Sequence, residues 1–177
     1  NDIVIVGGGS AGWMTASTII KLIPNVNVTV IESSNVPIVG VGESTVGGIR
    51  RWMRMIGVKD HEFIKATDAS YKLAIKFNNF LEKGNTWYYP FGDPYLEENL
   101  YERNDWFVKK SLYPDTPNYD MTDTYYPQMA LVNQNKISRN PNFPTFKFFE
   151  DTAFHFDATK FGIYLKDFIA KPNGEKH

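Results

Sequence analysis

The sequence predicts an α/β protein with a parallel sheet, and three features of its first residues support this prediction. Residues 2–6 form a short apolar run rich in β-branched side chains, which is typical of a strand buried in a parallel sheet. Residues 7–12 follow at once with the glycine spacing GxGxxG, and residues 11–22 have apolar side chains distributed for the packing of a helix. Residues 27–32 have the composition of a second strand. This order of strand, glycine loop, helix and strand indicates a Rossmann-type nucleotide-binding unit.

The glycine loop and the acid after the second strand indicate a dinucleotide site. Gly7 permits a tight turn, Gly9 lets the backbone approach a diphosphate, and Gly12 lets the helix pack close to the strand. The N–H groups at the start of the helix would hold the anionic diphosphate. Glu32, at the carboxyl end of the second strand, can accept hydrogen bonds from ribose hydroxyls. An acid at this position favours an unphosphorylated ribose, so FAD or NAD is expected rather than NADP.

A second glycine-containing loop covers residues 39–45. Gly40 and Gly42 free the backbone to approach a ring system, and Ser44 or Thr45 is expected to cap a helix over residues 47–55. Taken alone, the pattern favours an ordinary connection between a strand and a helix. A ligand-binding role for this loop therefore needs other support.

Residues 70–78 alternate between apolar and polar side chains, which predicts a half-buried strand. Lys72 and Lys76 fall on the same face of that strand. The pattern alone favours the solvent face, which is the commonest environment of a lysine. The alternative is a polar channel or pocket, where a nucleophilic lysine needs a pKa depressed by desolvation or by a nearby cation. In that case Lys76 could support Lys72.

Composition excludes several kinds of site. The chain contains no cysteine, which excludes disulfides, thiolate zinc sites and a cysteine nucleophile, and is compatible with a cytoplasmic location. A formal net charge of −1 gives no broad electrostatic footprint for nucleic acid, and no apolar run reaches the length of a membrane span. His155 has no Asp, Glu or His partner at ligand spacing, so no metal site is predicted. Aromatic residues make up 15% of the chain, which fits either an aromatic core or a pocket for a flat ligand.

Four segments resemble, in the same order, the amino-terminal part of the flavin-dependent tryptophan halogenases. Residues 7–16, GGGSAGWMTA, resemble the opening of that family, and residues 40–45, GVGEST, resemble its flavin-contacting strap. Residues 71–80, YKLAIKFNNF, resemble the segment that carries the catalytic lysine, and Lys72 rather than Lys76 matches that lysine. Residues 155–158, HFDA, together with the following helix, resemble a later segment that leads back into the FAD domain.

The resemblance implies an FADH2-dependent halogenase. A separate flavin reductase would supply FADH2, and hypohalous acid would be made at the flavin from chloride or bromide. Lys72 would then pass the halogen on, either as a haloamine or by orienting hypohalous acid through a hydrogen bond. The substrate would be a small electron-rich aromatic molecule of indole or phenol type, and a homodimer is compatible with the resemblance. The residues implied in FAD binding are Gly7, Gly9, Ser10, Ala11, Gly12, Trp13, Glu32, Val41, Gly42, Glu43 and Ser44.

Residues 88–92 resemble the family segment that supplies aromatic walls to the substrate site. This implies Tyr89 and Phe91 as substrate residues, and Phe91 matches a stacking phenylalanine of the family. The tryptophan enzymes have a histidine where this chain has Tyr89, so tryptophan itself is not implied as the substrate. Residues 1–80 are expected to form the FAD-binding core with the lysine strand, and residues 81–150 an aromatic-rich, partly irregular substrate-side region. Residues 151–177 are expected to form a return helix toward the FAD domain.

The chain is expected to be incomplete, because only two strands of the nucleotide sheet are readable and a two-stranded parallel sheet cannot have both faces covered. Apolar side chains near the first strand should therefore lack partners within this chain. The family's Trp-rich motif and the glutamate that assists the lysine are not recognised, and nothing indicates that Glu43 or Asp157 replaces that glutamate. Two other interpretations stay open: another flavin monooxygenase in which Lys72 is idle, and a non-catalytic FAD-binding fragment.

Overall fold

The computed structural model describes residues 1–36, 44–95 and 102–170. In chain order the elements are β1 (Asp2–Val6), α1 (Ser10–Leu22), β2 (Asn27–Ile31), α2 (Gly48–Ile56), α3 (Asp60–Thr67), β3 (Ser70–Lys72), β4 (Ala74–Asn78), β5 (Thr86–Pro90), α4 (Glu102–Leu112), α5 (Asp120–Tyr125), α6 (Met129–Asn133), α7 (Phe148–Asp151), β6 (Ala153–His155) and α8 (Ala158–Ala170). None of the described helices is long and apolar enough to cross a membrane.

These elements form two compact units. The first contains the described residues up to Tyr71 and those from Phe154 onward, and the second contains Lys72–Ala153. The division at residues 80 and 150 drawn from the sequence concerns roles rather than packing, and it stays a prediction.

The first unit begins with a parallel strand pair joined by a helix. β1 pairs with β2 in parallel, with Asp2 opposite Asn27 and Val6 opposite Ile31. Because parallel neighbours need a crossover connection, α1 runs between them, and it packs against α2 and α8. The predicted α/β start is therefore confirmed, with strand and helix bounds that differ from the sequence prediction by one residue at most.

The core of the first unit is aromatic. The Phe63 ring is fully buried, and its centroid lies 5.0 Å from that of Phe154, 5.5 Å from that of Phe156 and 5.8 Å from that of Phe161, in edge-on arrangements. Edge-on contacts match the positive edge of one ring to the negative face of another. This cluster packs α3 against β6 and α8.

One face of the β1–β2 pair lies open. Val6 is 82% exposed, and Val4 and Ile31 are each more than half exposed, whereas the alternate residue Ile5 packs against the core. Successive side chains of a strand point to opposite faces, so only one face is covered by the helices. The prediction that apolar side chains of β1 lack partners in this chain is thus confirmed for the described residues.

The second unit is built on an antiparallel hairpin. β4 pairs with β5 from Ala74 opposite Pro90 to Asn78 opposite Thr86. The rings of Phe77 and Trp87 stack across it, with centroids 4.1 Å apart and planes 10° apart. Stacked cross-strand pairs stabilise a hairpin by roughly 0.2–1 kcal/mol. Because β5 ends at Pro90, the hairpin sets the point at which Phe91 leaves the sheet.

Two details of the sequence prediction are wrong. Residues 70–78 do not form one strand, because the chain changes partner at Leu73: β3 pairs with β6, and β4 pairs with β5. Lys72 and Lys76 therefore do not share one strand face. Neither Ser44 nor Thr45 caps α2, because its N-cap is Gly47 and no side chain forms a cap hydrogen bond there; the Thr45 hydroxyl instead donates to the carbonyl of Phe154 at 2.9 Å.

Candidate functional site

The glycine loop of the first unit has no room for side chains at two positions. A Cβ at Gly12 would lie 1.9 Å from the carbonyl oxygen of Gly7, so only glycine lets α1 approach the preceding turn. A Cβ at Gly8 would lie 2.1 Å from Oε2 of Glu32. Gly7 adopts φ +119°, and its N–H donates to the carbonyl of Ile31 at 2.8 Å, which closes the turn onto β2.

The start of α1 is suited to an anion. Its N-cap, Gly9, has extended backbone and provides no side-chain acceptor, and the first turn contains no acidic residue. The first N–H groups of a helix have no acceptor within the helix, and the macrodipole adds a partial positive charge there. Among the described residues other than its chain neighbours, none places a heavy atom within 4 Å of the position that a Cβ of Gly9 would occupy. The chain therefore offers N–H donors beside open space, which fits a diphosphate.

Glu32 lies at the far side of this loop and is held by two residues. Its Oε1 accepts a hydrogen bond from Nζ of Lys166 at 2.6 Å, and the same Nζ lies 5.5 Å from the centroid of the Trp13 ring. The hydrogen bond from Lys166 is the main cause that lowers the pKa of Glu32, and its charge and the Trp13 side chain lower that pKa further. Glu32 is thus an ionised acceptor beside the glycine loop, and its role in binding a ribose stays a prediction.

A pocket of about 840 Å³ opens beside the start of α1. The predicted cofactor residues Gly9, Ser10, Ala11 and Ser44 line it together. Most of the remaining lining is apolar and escaped the sequence prediction: Met14, Val46, Ile49, Trp52, Phe156, Ala158 and Phe161. Two of these residues, Phe156 and Ala158, belong to the HFDA segment, whose resemblance to the family was the sequence signal for their part of the pocket. Val41, Gly42 and Glu43 lie outside the described residues.

Lys72 belongs to the second unit and is buried. It is 8% exposed, and its Nζ lies 5.4 Å from the centroid of the Phe91 ring. Burial lowers the pKa of Lys72 below the usual lysine value. Lys76 is exposed and lies over Tyr88 instead. The buried Lys72 and the exposed Lys76 thus lie over different rings, and the interpretation that Lys76 supports Lys72 stays a prediction.

The two predicted substrate residues differ in exposure. Phe91 is buried directly after β5, and its ring centroid lies 6.3 Å from that of Tyr89, which is 57% exposed. Tyr126 lies near them: burial raises its pKa, and the neighbouring Tyr89 and Asp93 raise it further. The second unit thus brings Lys72, Phe91 and Tyr89 together, while the predicted cofactor residues described by the structure lie in the first unit.

Comparison with known proteins assigns the family. The model of the tryptophan halogenase family matches residues 2–176. Tryptophan 6-halogenase ThaL of Streptomyces albogriseolus is 30% identical over 191 aligned positions, which cover 99% of this chain and 35% of ThaL. The apo structure of VirX1 superposes with a TM-score of 0.86 at 39% identity, covering 99% of this chain and 34% of VirX1. The tryptophan 6-halogenase SttH of Streptomyces toxytricini has a TM-score of 0.76 at 29% identity, with coverage of 96% and 33%. The chain spans about a third of the length of these relatives, and it belongs to the tryptophan halogenase family.

Proposed function

We propose that this chain supplies the FAD-binding loop and the catalytic lysine of an enzyme that halogenates an electron-rich aromatic substrate of indole or phenol type. Members of the family use FADH2 and halide ions. The observation that carries the proposal is the burial of Lys72 beside Phe91, because a buried lysine is uncommon and its amine is the nucleophile that this chemistry needs.

The first unit would hold FAD. The N–H groups that begin α1 would bind the diphosphate over residues 9–12, and the ionised carboxylate of Glu32 would accept hydrogen bonds from the adenosine ribose. The apolar wall that Trp52 and Phe161 contribute to the pocket would exclude water from the rest of the cofactor. When bound and reduced by a separate flavin reductase, the cofactor would give two electrons to dioxygen, and halide would give two more as it is oxidised to hypohalous acid.

Lys72 would take the halogen from hypohalous acid. A lowered pKa leaves more of its amine neutral at a given pH, and the neutral nitrogen has the lone pair that attacks the halogen. A nitrogen–halogen bond forms as the halogen–oxygen bond breaks, and the departing hydroxide leaves as water with a proton from the amine. An aromatic carbon of the substrate then attacks the halogen, loses its ring proton and returns the amine. The exposed Tyr89 ring would offer a wall for that substrate.

The test is product mass spectrometry with halide, a flavin reductase and a panel of indoles and phenols. We expect Lys72→Ala to abolish halogenated product, while FAD binding persists because the glycine loop lies in the other unit. Lys76→Ala is the matched control, since it removes an exposed lysine only four positions away, and it should retain most of the activity.

Two results would overturn the proposal. Halogenation by Lys72→Ala at the wild-type rate would show that the amine is idle. An oxygenated product that forms without halide would assign the chain to the flavin hydroxylases, which share the nucleotide loop but need no lysine.

A further inference from the structure

The carbonyl group of Phe91 lies just beyond the end of a sheet. The pairing of β4 with β5 ends at Ala74 opposite Pro90; past that point the Phe91 N–H still donates to the carbonyl of Leu73, while the carbonyl of Phe91 accepts from a side chain instead of a strand. The next residue, Gly92, adopts φ +91°, and a Cβ there would lie 2.9 Å from the carbonyl of Thr145. The chain therefore turns away immediately after Phe91, and the backbone carbonyl of Phe91 needs a hydrogen-bond donor outside the sheet.

Gln128 provides the missing donor. Its side chain is 0% exposed, and Nε2 donates to the carbonyl of Phe91 at 2.8 Å. Burial of an amide is unfavourable unless it forms hydrogen bonds. Within the described part of the chain, Oε1 of Gln128 accepts no hydrogen bond, so the bond to Phe91 is the polar contact that offsets this burial.

The backbone of Phe91 is consequently held on both sides. Its N–H donates to the carbonyl of Leu73 at 2.9 Å, and its carbonyl accepts from Gln128. Leu73 directly follows Lys72 in the chain. The backbone sets the direction of the Cα–Cβ bond and limits the allowed rotamers, so these two bonds restrict where the Phe91 ring can lie relative to Lys72.

We infer that Gln128 is a positioning residue of the halogenation site: its buried amide holds Phe91 so that the ring covers the amine of Lys72. The inference rests on the proposed function of Lys72. If the Gln128 amide is removed, the carbonyl of Phe91 loses its donor and forms a hydrogen bond with water instead. The Phe91 ring then shifts, and water reaches the amine of Lys72. Gln128 touches neither substrate nor cofactor in this role, and it acts through Phe91.

The first experiment needs no halogenation. Competitive labelling of amines as a function of pH, read by mass spectrometry on the peptides that contain Lys72 and Lys76, reports the pKa of each. Gln128→Met keeps the length and apolar stem of the side chain but cannot donate. We expect it to raise the pKa of Lys72 toward the ordinary lysine value while the reactivity of Lys76 is unchanged. Gln134→Met, at the exposed end of α6, is the matched control and should change neither.

The second experiment measures steady-state halogenation by the same variants. A displacement of about 1 Å at a reacting group costs up to about a hundredfold in rate, so kcat of Gln128→Met should fall about ten- to a hundredfold. The concentration of FADH2 that gives half the maximal rate should stay unchanged, because the glycine loop belongs to the other unit. A residue that only supported folding would lower the amount of active enzyme without moving the pKa of Lys72.

The outcomes separate this inference from the function on which it rests. An unchanged pKa of Lys72 in folded Gln128→Met overturns the positioning role, whatever the activity. A raised pKa together with no halogenated product from wild type overturns the proposed function and leaves the contact intact. Should Gln128→Met not fold, Gln128→Asn carries the same test, because it keeps the amide but is one methylene too short to reach Phe91.

Discussion

The two units place their candidate groups in opposite ways. In the first unit the groups that would meet the cofactor are main-chain N–H groups at the start of α1 and one carboxylate held by a partly exposed lysine. In the second unit the candidate group is the buried amine of Lys72, which lies over the side chain of Phe91. The candidate cofactor site of the first unit therefore needs positions without side chains, whereas the candidate amine of the second unit needs side chains packed around it.

The largest expected effect tests the first half of that comparison. Gly12→Ala would place a methyl group against the carbonyl of Gly7, so we expect a loss of about 1–3 kcal/mol in the free energy of unfolding. FAD binding should weaken at least about tenfold because α1 must move away from the turn. Thermal unfolding and fluorescence titration with FAD measure the two effects.

Gly9→Ala is the matched comparison. The space around Gly9 is open and its φ of −77° suits alanine, so stability should change by less than about 0.5 kcal/mol. FAD binding should still weaken, since the new methyl group would occupy space that the diphosphate needs. Equal loss of stability in both variants would contradict this description of the loop.

The next effect concerns the pH dependence of halogenation. Burial lowers the pKa of Lys72, and a haloamine forms only from the neutral amine. The rate should therefore rise with pH until it passes the lowered pKa, by up to about tenfold for each pH unit below it. Initial rates at saturating substrate, with peroxide release measured in parallel as the control for flavin chemistry, test this.

A rate that falls across the same pH range would favour delivery by a hydrogen bond from the ammonium group. Lys72→Arg distinguishes the haloamine route from delivery by a hydrogen bond, because a guanidinium stays protonated and cannot form a haloamine. Complete inactivity supports the covalent route, and partial activity supports the hydrogen bond.

The smallest expected effect concerns Lys166. The variant Lys166→Met loses the hydrogen bond from Nζ to Glu32, which is the main reason that the pKa of Glu32 is low. The pKa of Glu32 should therefore rise toward its ordinary value. The ionised carboxylate is then lost at a higher pH during acidification, and FAD affinity should begin to fall at a higher pH than in wild type. Binding of FMN, which lacks the adenosine ribose, should be unaffected.

Lys160→Met provides the control on the same helix, since Lys160 forms a comparable exposed ion pair with Asp68. If both variants change FAD binding alike, the effect comes from helix α8 as a whole, and Lys166 has no special relation to Glu32.

The sequence predicted the parts of the molecule that local pattern determines. Apolar runs and glycine spacing placed β1, α1 and β2 almost to the residue, because neighbouring residues set these conformations. The break at Leu73 escaped prediction, since alternation continues through it while the partner strand changes. Burial of Lys72 was therefore not readable from the pattern, and only the family resemblance pointed to it.

The contacts that fix the candidate groups were not predictable from local pattern. Lys166 is 134 residues from Glu32, and Gln128 is 37 residues from Phe91. Neither residue has a motif around it that names its partner. Such pairs are decided by how the helices and loops pack, so they emerge only when the fold is known.

In sequence, the second unit is one continuous stretch between two parts of the first, and the strands at its two ends, β3 and β6, pair in one sheet. A stretch whose two ends lie side by side can be exchanged with little disturbance of the surrounding fold. Two crossover points, between Tyr71 and Lys72 and between Ala153 and Phe154, therefore mark out a cassette for recombination among relatives. Lys72 and Phe91 would travel with the cassette, while the glycine loop would remain with the recipient.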